Sequence, residues 1–70
     1  MILKDHDLDL VALNDEANQA FRWDQPRQEW VAGSPRYAAK VWADGEELTQ
    51  AQAKKRFPSA NLAAIPAFAS

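Results

Sequence analysis

The sequence contains no cysteine, and only two of its 70 residues are glycine. Without cysteine the chain forms neither a disulfide framework nor a thiolate metal site. Two isolated glycines, Gly33 and Gly45, cannot build the glycine-rich loop that holds a nucleotide phosphate. No apolar run reaches the roughly 18 residues of a membrane helix, and the first residues lack the pattern of a signal peptide. We therefore expect a cytoplasmic protein without a membrane span.

Catalytic side chains are equally scarce. The single histidine, His6, has no second histidine or cysteine with which to share a metal ion, so we interpret it as a solvated side chain. Leu10 stands where an EF-hand calcium loop needs glycine, although four acidic residues match the ligand spacing of such a loop: Asp5, Asp7, Asp9 and Glu16. No serine lies in a nucleophile-elbow motif. We predict a protein that is not an enzyme and that uses no metal ion or cofactor.

Charge is distributed unevenly along the chain. The formal net charge is −2, with −4 in residues 1–19 and +2 in residues 20–42. A dedicated nucleic-acid binder usually carries a pronounced basic surplus. The near-neutral total therefore makes a nucleic-acid partner possible only through a local basic patch.

The stretch from Phe21 to Trp42 contains all three tryptophans and the only tyrosine. Aromatic residues favour strands and supply large buried areas, so we predict a small sheet here. Pro26 indicates a turn between Trp23 and Trp30, which places the two tryptophans opposite each other. We expect the core to include Phe21, Trp23, Tyr37 and Val41.

A further strand is expected over residues 36–43, after the break at Gly33, Ser34 and Pro35. Asp44-Gly45 is typical of a type I′ hairpin turn, because both of its central residues need a positive φ. Such a turn fixes the facing residues of the hairpin. It places Arg36, Lys40, Trp42 and Glu47 on one face of the sheet, because side chains alternate along a strand.

Two helices complete the predicted α+β fold, in which the sheet has three to four antiparallel strands. The first covers about residues 7–21, where Leu10, Leu13 and Ala17 form one stripe of helical period. Alternation over residues 7–10 leaves a strand–turn–strand as the alternative. The second helix covers about residues 49–57, where Thr49 and Gln52 form a capping box. Residues 1–70 then make one small domain.

The tail, residues 59–70, carries no charge. An uncharged apolar segment is unfavourable in water. We therefore expect it to pack either on the sheet or on a partner, including a second copy of the chain.

The shared face of Arg36, Lys40, Trp42 and Glu47 is the candidate partner-binding site. Tryptophan and arginine are enriched among the residues that dominate binding energy at protein interfaces. The alternative is that Trp42 is covered by another segment and belongs to the core.

Three functions fit this sequence. The first is a small protein that binds another protein, as accessory proteins of phages and mobile elements do when they inhibit a host or defence complex by steric blocking. The second is a nucleic-acid-binding domain that uses Arg36, Lys40 and Trp42, since cations interleaved with aromatic rings hold phosphates and stack bases. The third is a homo-oligomeric structural subunit.

Overall fold

A five-stranded antiparallel sheet is the centre of the computed structural model, which describes residues 1–69. Its strands are β1 (Ile2–His6), β2 (Asp9–Leu13), β3 (Ala20–Asp24), β4 (Glu29–Gly33) and β5 (Glu46–Leu48). Helix α1 (Pro35–Asp44) precedes β5, and α2 (Gln50–Arg56) and a 3₁₀ turn (Leu62–Ala64) follow it. The strand order in the sheet is β4-β3-β2-β1-β5. Strands β1 to β4 form a meander, and α1 connects β4 at one edge to β5 at the opposite edge. The α+β class is confirmed, but the sheet has five strands rather than three to four.

The helix predicted over about residues 7–21 is wrong. This segment forms the turn after β1, all of β2 and the start of β3, and β1 pairs with β2 from Ile2 opposite Leu13 to His6 opposite Asp9. The residues from Leu10 to Leu13 are all buried, because both faces of the sheet are covered at β2. A strand buried on both faces has a continuous apolar run, and Leu10 and Leu13 of this run match a helical spacing by coincidence.

The strand predicted over residues 36–43 is helix α1. Ser34 caps it, since its Oγ accepts a hydrogen bond from the Tyr37 N–H at 3.0 Å, and Pro35 occupies the first turn, where proline is favoured. Gly45 has φ −79°, so Asp44-Gly45 does not form the predicted type I′ turn. The buried Val41 lies on the inner stripe of α1 together with Ala38.

Two local predictions are confirmed. Trp23 faces Trp30 across the β3–β4 hairpin, with ring centroids 5.2 Å apart at an angle of 63°. Thr49 and Gln52 form the predicted capping box at the start of α2. Of the expected core residues, Trp23 and Val41 are buried, whereas Phe21 and Tyr37 are half-buried.

Each face of the sheet has its own apolar cluster. Facing residues share one side of a sheet, so Leu3, Ala12 and Leu48 lie on one face and Val11 and Leu13 on the other. The first cluster also contains Leu10, Trp23 and Ala53, and α2 and the tail pack on it. The second contains Ala20, Ala38 and Val41, and α1 covers it. The sheet is thus the middle of three layers.

The tail lies along the first face. The ring of Phe68 is 5.5 Å from that of Phe21, and the indole N–H of Trp30 donates to the Asn61 carbonyl at 2.9 Å. The side-chain amide of Gln19 both donates to the carbonyl and accepts from the N–H of Ala69, each at 2.8 Å. Ser70, the last residue of the predicted tail, lies outside the described residues.

One arginine connects α2 to the two neighbouring strands. The Nη1 of Arg56 is 3.2 Å from Asp5 Oδ2 and 2.8 Å from Glu46 Oε1, while its Nη2 is 3.1 Å from Glu46 Oε2. The hydrogen bonds and the charge of Arg56 lower the pKa of Glu46. The pair is exposed, so solvent screens much of its attraction.

Replacing Ser34 with alanine tests helix α1. The substitution removes the capping acceptor, and we expect the free energy of unfolding to fall by about 1 kcal/mol, measured by urea denaturation. Ser59→Ala, at an exposed serine outside the helices, is the matched control and is expected to change stability by less than about 0.5 kcal/mol. Equal effects of the two substitutions would contradict the capped helix.

Replacing Glu46 with glutamine tests the Arg56 contact through pH. Because the folded-state pKa of Glu46 is lowered, its stabilisation is present above pH 4.5, the ordinary value, and is lost as pH falls through the folded-state value. The stability advantage of wild type over Glu46→Gln should therefore shrink as pH falls below 4.5. In an Arg56→Gln background this pH dependence should disappear. Its persistence there would assign the shift to another group.

Candidate functional site

Trp42 presents an exposed aromatic ring on the outer side of a packed helix. Its side chain is 47% exposed, whereas Ala38 and Val41 of the same helix are fully buried against the sheet. Three large hydrophobic side chains in the described chain are exposed: Met1, Leu8 and Trp42. Of these, Trp42 alone is carried by a helix anchored through buried neighbours.

Lys4 of β1 fixes the position of the Trp42 ring. Its Nζ lies 4.7 Å from the ring centroid, a cation–π contact, and donates a hydrogen bond to the Gly45 carbonyl at 3.2 Å. Lys4 is only 7% exposed, so little water competes for its ammonium group. The lysine therefore joins the sheet to the end of α1 beneath the indole.

Glu47 faces Lys4 in the β1–β5 pairing, and facing side chains share one side of the sheet. Two of the predicted site residues are therefore neighbours of Lys4: the Trp42 ring contacts its ammonium group, and Glu47 is its facing residue on β5. We call Trp42, Lys4 and Glu47 the Trp42 surface.

Arg36 and Lys40 lie elsewhere on α1. At 3.6 residues per turn they point roughly 120° and 160° away from Trp42 around the helix axis. Both are exposed, and the Lys40 Nζ is 3.8 Å from Asp44 Oδ2, one turn further on. The predicted common face of all four residues is wrong, because it depended on strand alternation in a segment that is helical.

Sequence reasoning missed Lys4, which belongs to the Trp42 surface, and the exposed Leu8, which lies in the β1–β2 turn. Lys4 belongs to the segment Ile2–His6. Its alternation of apolar and polar residues was too short to predict which side chains of this strand point towards the core. Leu8 is 88% exposed at the tip of the β1–β2 turn, where Asp7 and Leu8 have φ of 49° and 67°. A leucine in this left-handed conformation costs on the order of 1 kcal/mol. The available sequence signal for this turn was Asp7-Leu8, which stands between the alternating residues of two strands.

A second group of polar side chains surrounds Tyr37. The His6 ring packs edge-on against that of Tyr37, with centroids 6.2 Å apart, and its side chain is 10% exposed. Burial, followed by the charge of Asp9, raises the pKa of Tyr37, and Arg22 opposes this effect. A methyl group on Gly33 would come within 2.6 Å of Tyr37 Cδ2. Tyr37 is therefore a packing residue that closes one end of α1 on the sheet.

An open cleft of about 600 Å³ lies between α2 and the tail. It is lined by Gln50, Lys54, Pro58, Ala60, Asn61, Leu62 and Ala63. Lys54 is the one ionisable side chain among these lining residues. Within residues 1–69, no three His, Asp or Glu side chains converge on a position that could hold a metal ion.

Comparison of the chain with protein-family models, curated proteins and solved structures found no match. The helices of residues 1–69 are all too short or too polar to span a bilayer. The candidate surface is therefore defined by its own geometry: an exposed indole, a buried cation in contact with it, and a glutamate that faces this cation on the neighbouring strand.

Replacing Lys4 with methionine tests the support of Trp42. The variant loses the cation–π contact and the hydrogen bond to Gly45, and we expect a loss of about 1–2 kcal/mol in unfolding free energy. It should also change the tryptophan fluorescence spectrum, because the charge beneath one indole is removed. The matched control is Lys40→Met, whose side chain is 65% exposed and which should leave both stability and fluorescence nearly unchanged. If the two variants behave alike, Lys4 does not support the ring.

Proposed function

We propose that this protein is non-enzymatic and acts by binding another protein through the Trp42 surface. The observation that carries the proposal is the exposed Trp42 ring held by the buried Lys4. A large aromatic ring already fixed in place loses little conformational freedom on binding. Tryptophan is also among the residues most enriched at energetically dominant interface positions.

The charges around Trp42 favour a protein partner over a nucleic acid. The ammonium group of Lys4 already contacts the Trp42 indole and donates a hydrogen bond to the Gly45 carbonyl. The carboxylate of Glu47, the residue that faces Lys4 on β5, would repel phosphates. Arg36 and Lys40, the cations expected to hold a phosphate backbone, point away from the ring. A partner with an apolar pocket and a cation opposite Glu47 would complement this surface.

In this proposal the protein acts by occupying a surface of its partner. Steric blocking of a host or defence complex, as by accessory proteins of phages and mobile elements, needs a small rigid body and no catalytic group. The tail is a weaker candidate for the interface, because Leu62, Ile65 and Phe68 pack on the chain's own core. We place this activity in the cytoplasm, in keeping with the lack of cysteine.

The test is quantitative affinity purification from the native host with wild type, Trp42→Ala and Arg36→Glu, each shown to be folded by circular dichroism. A dominant interface residue contributes at least about 2 kcal/mol. We therefore expect the affinity for the partner to fall at least about 30-fold with Trp42→Ala, with a corresponding loss of recovered partner, whereas Arg36→Glu retains both.

Loss of binding in both variants would indicate a broader face that includes Arg36. Retention in both would exclude the Trp42 surface. Recovery of nucleic acid with a steep dependence on salt would favour the nucleic-acid function instead.

A further inference from the structure

Strand β4 forms an unprotected edge of the sheet. It pairs with β3 alone, from Asp24 opposite Glu29 to Ala20 opposite Gly33. In an antiparallel pair, alternate residues turn their N–H and C=O groups away from the neighbouring strand. No backbone hydrogen bond from residues 1–69 satisfies those outer groups of β4. They are available to another strand.

The opposite edge, β5, is protected. It has three residues, two of which are the exposed glutamates Glu46 and Glu47. Short length and charged side chains are the features that keep an edge strand from pairing with another chain. β4 has five residues, one charge at its first position, and neither proline nor lysine. The two edges therefore differ in their capacity to accept a further strand.

The sequence of β4 is complementary to itself in an antiparallel arrangement. With Val31 at the centre, Trp30 of one copy lies opposite Ala32 of the other, and Glu29 lies opposite Gly33. Trp30 and Ala32 are on one face of the sheet; the first is half-buried and the second exposed. A large side chain thus meets a small one, and no like charges face each other.

We infer that two copies of this chain pair through their β4 edges. The antiparallel strands place the same surface on both copies, as a two-fold symmetric dimer requires. The two five-stranded sheets then form one continuous sheet. This dimer is independent of the Trp42 surface, which lies at the β1–β5 side of the sheet.

The mass in solution tests the inference directly. Sedimentation velocity of the full chain should show a species of twice 7.8 kDa whose fraction increases with concentration. Ala32→Lys places a charge on the exposed edge and should give the monomer at the same concentrations. Ala39→Lys, at an exposed alanine on α1, is the matched control and should keep the dimer. A monomeric wild type, or a dimer that survives Ala32→Lys, overturns the proposal.

Hydrogen exchange of the wild type gives a second measurement that needs no substitution. The outward amides of β4 should exchange more slowly at concentrations where the dimer forms, while the amides of β5 remain unchanged. Protection that is identical at low and high concentration, or that increases at β5 instead, overturns pairing through β4.

Discussion

Coverage of both faces of one central hairpin is the constraint on which this fold depends. Leu10, Val11, Ala12 and Leu13 are consecutive in β2, and none is more than 1% exposed. Four consecutive buried side chains in a strand need a layer of structure on each side of the sheet. Helix α1 covers one face, and α2 with the tail covers the other. In a chain of 70 residues without disulfides, this double coverage supplies the buried apolar area that a small domain needs.

The local signals in the sequence predicted only the elements that local interactions determine. The Trp23–Trp30 hairpin has its turn chemistry within the segment itself, and the Thr49 capping box lies within four residues. The prediction of an N-terminal helix was wrong because a strand that is buried on both faces has a continuous apolar run instead of alternating apolar and polar residues. The prediction of a strand over residues 36–43 was wrong because it relied on the aromatic residues there. Ser34 and Pro35 are a favoured helix start, but they were interpreted as a break between strands.

The candidate site shows the same division. The sequence left open whether Trp42 is exposed or belongs to the core, and the structure shows it exposed on a helix rather than on the expected strand. Its support could not be predicted, because Lys4 reaches it only when β5 folds back beside β1. Arg36 and Lys40 were grouped with it by a two-residue period, and the helical period separates them. Because the segment is a helix and not a strand, the cation near Trp42 is the buried Lys4 rather than the exposed Arg36 and Lys40.

The central claim is that Lys4 holds Trp42 at the surface of a helix, and nuclear magnetic resonance in solution tests it most directly. The ring current of Trp42 should shift the side-chain methylene protons of Lys4 upfield, with cross-relaxation between the two side chains. The Cα shifts of residues 35–44 should be helical. Lys4 protons at their random-coil positions, together with extended Cα shifts over residues 36–43, would contradict both the helix and the surface built on it.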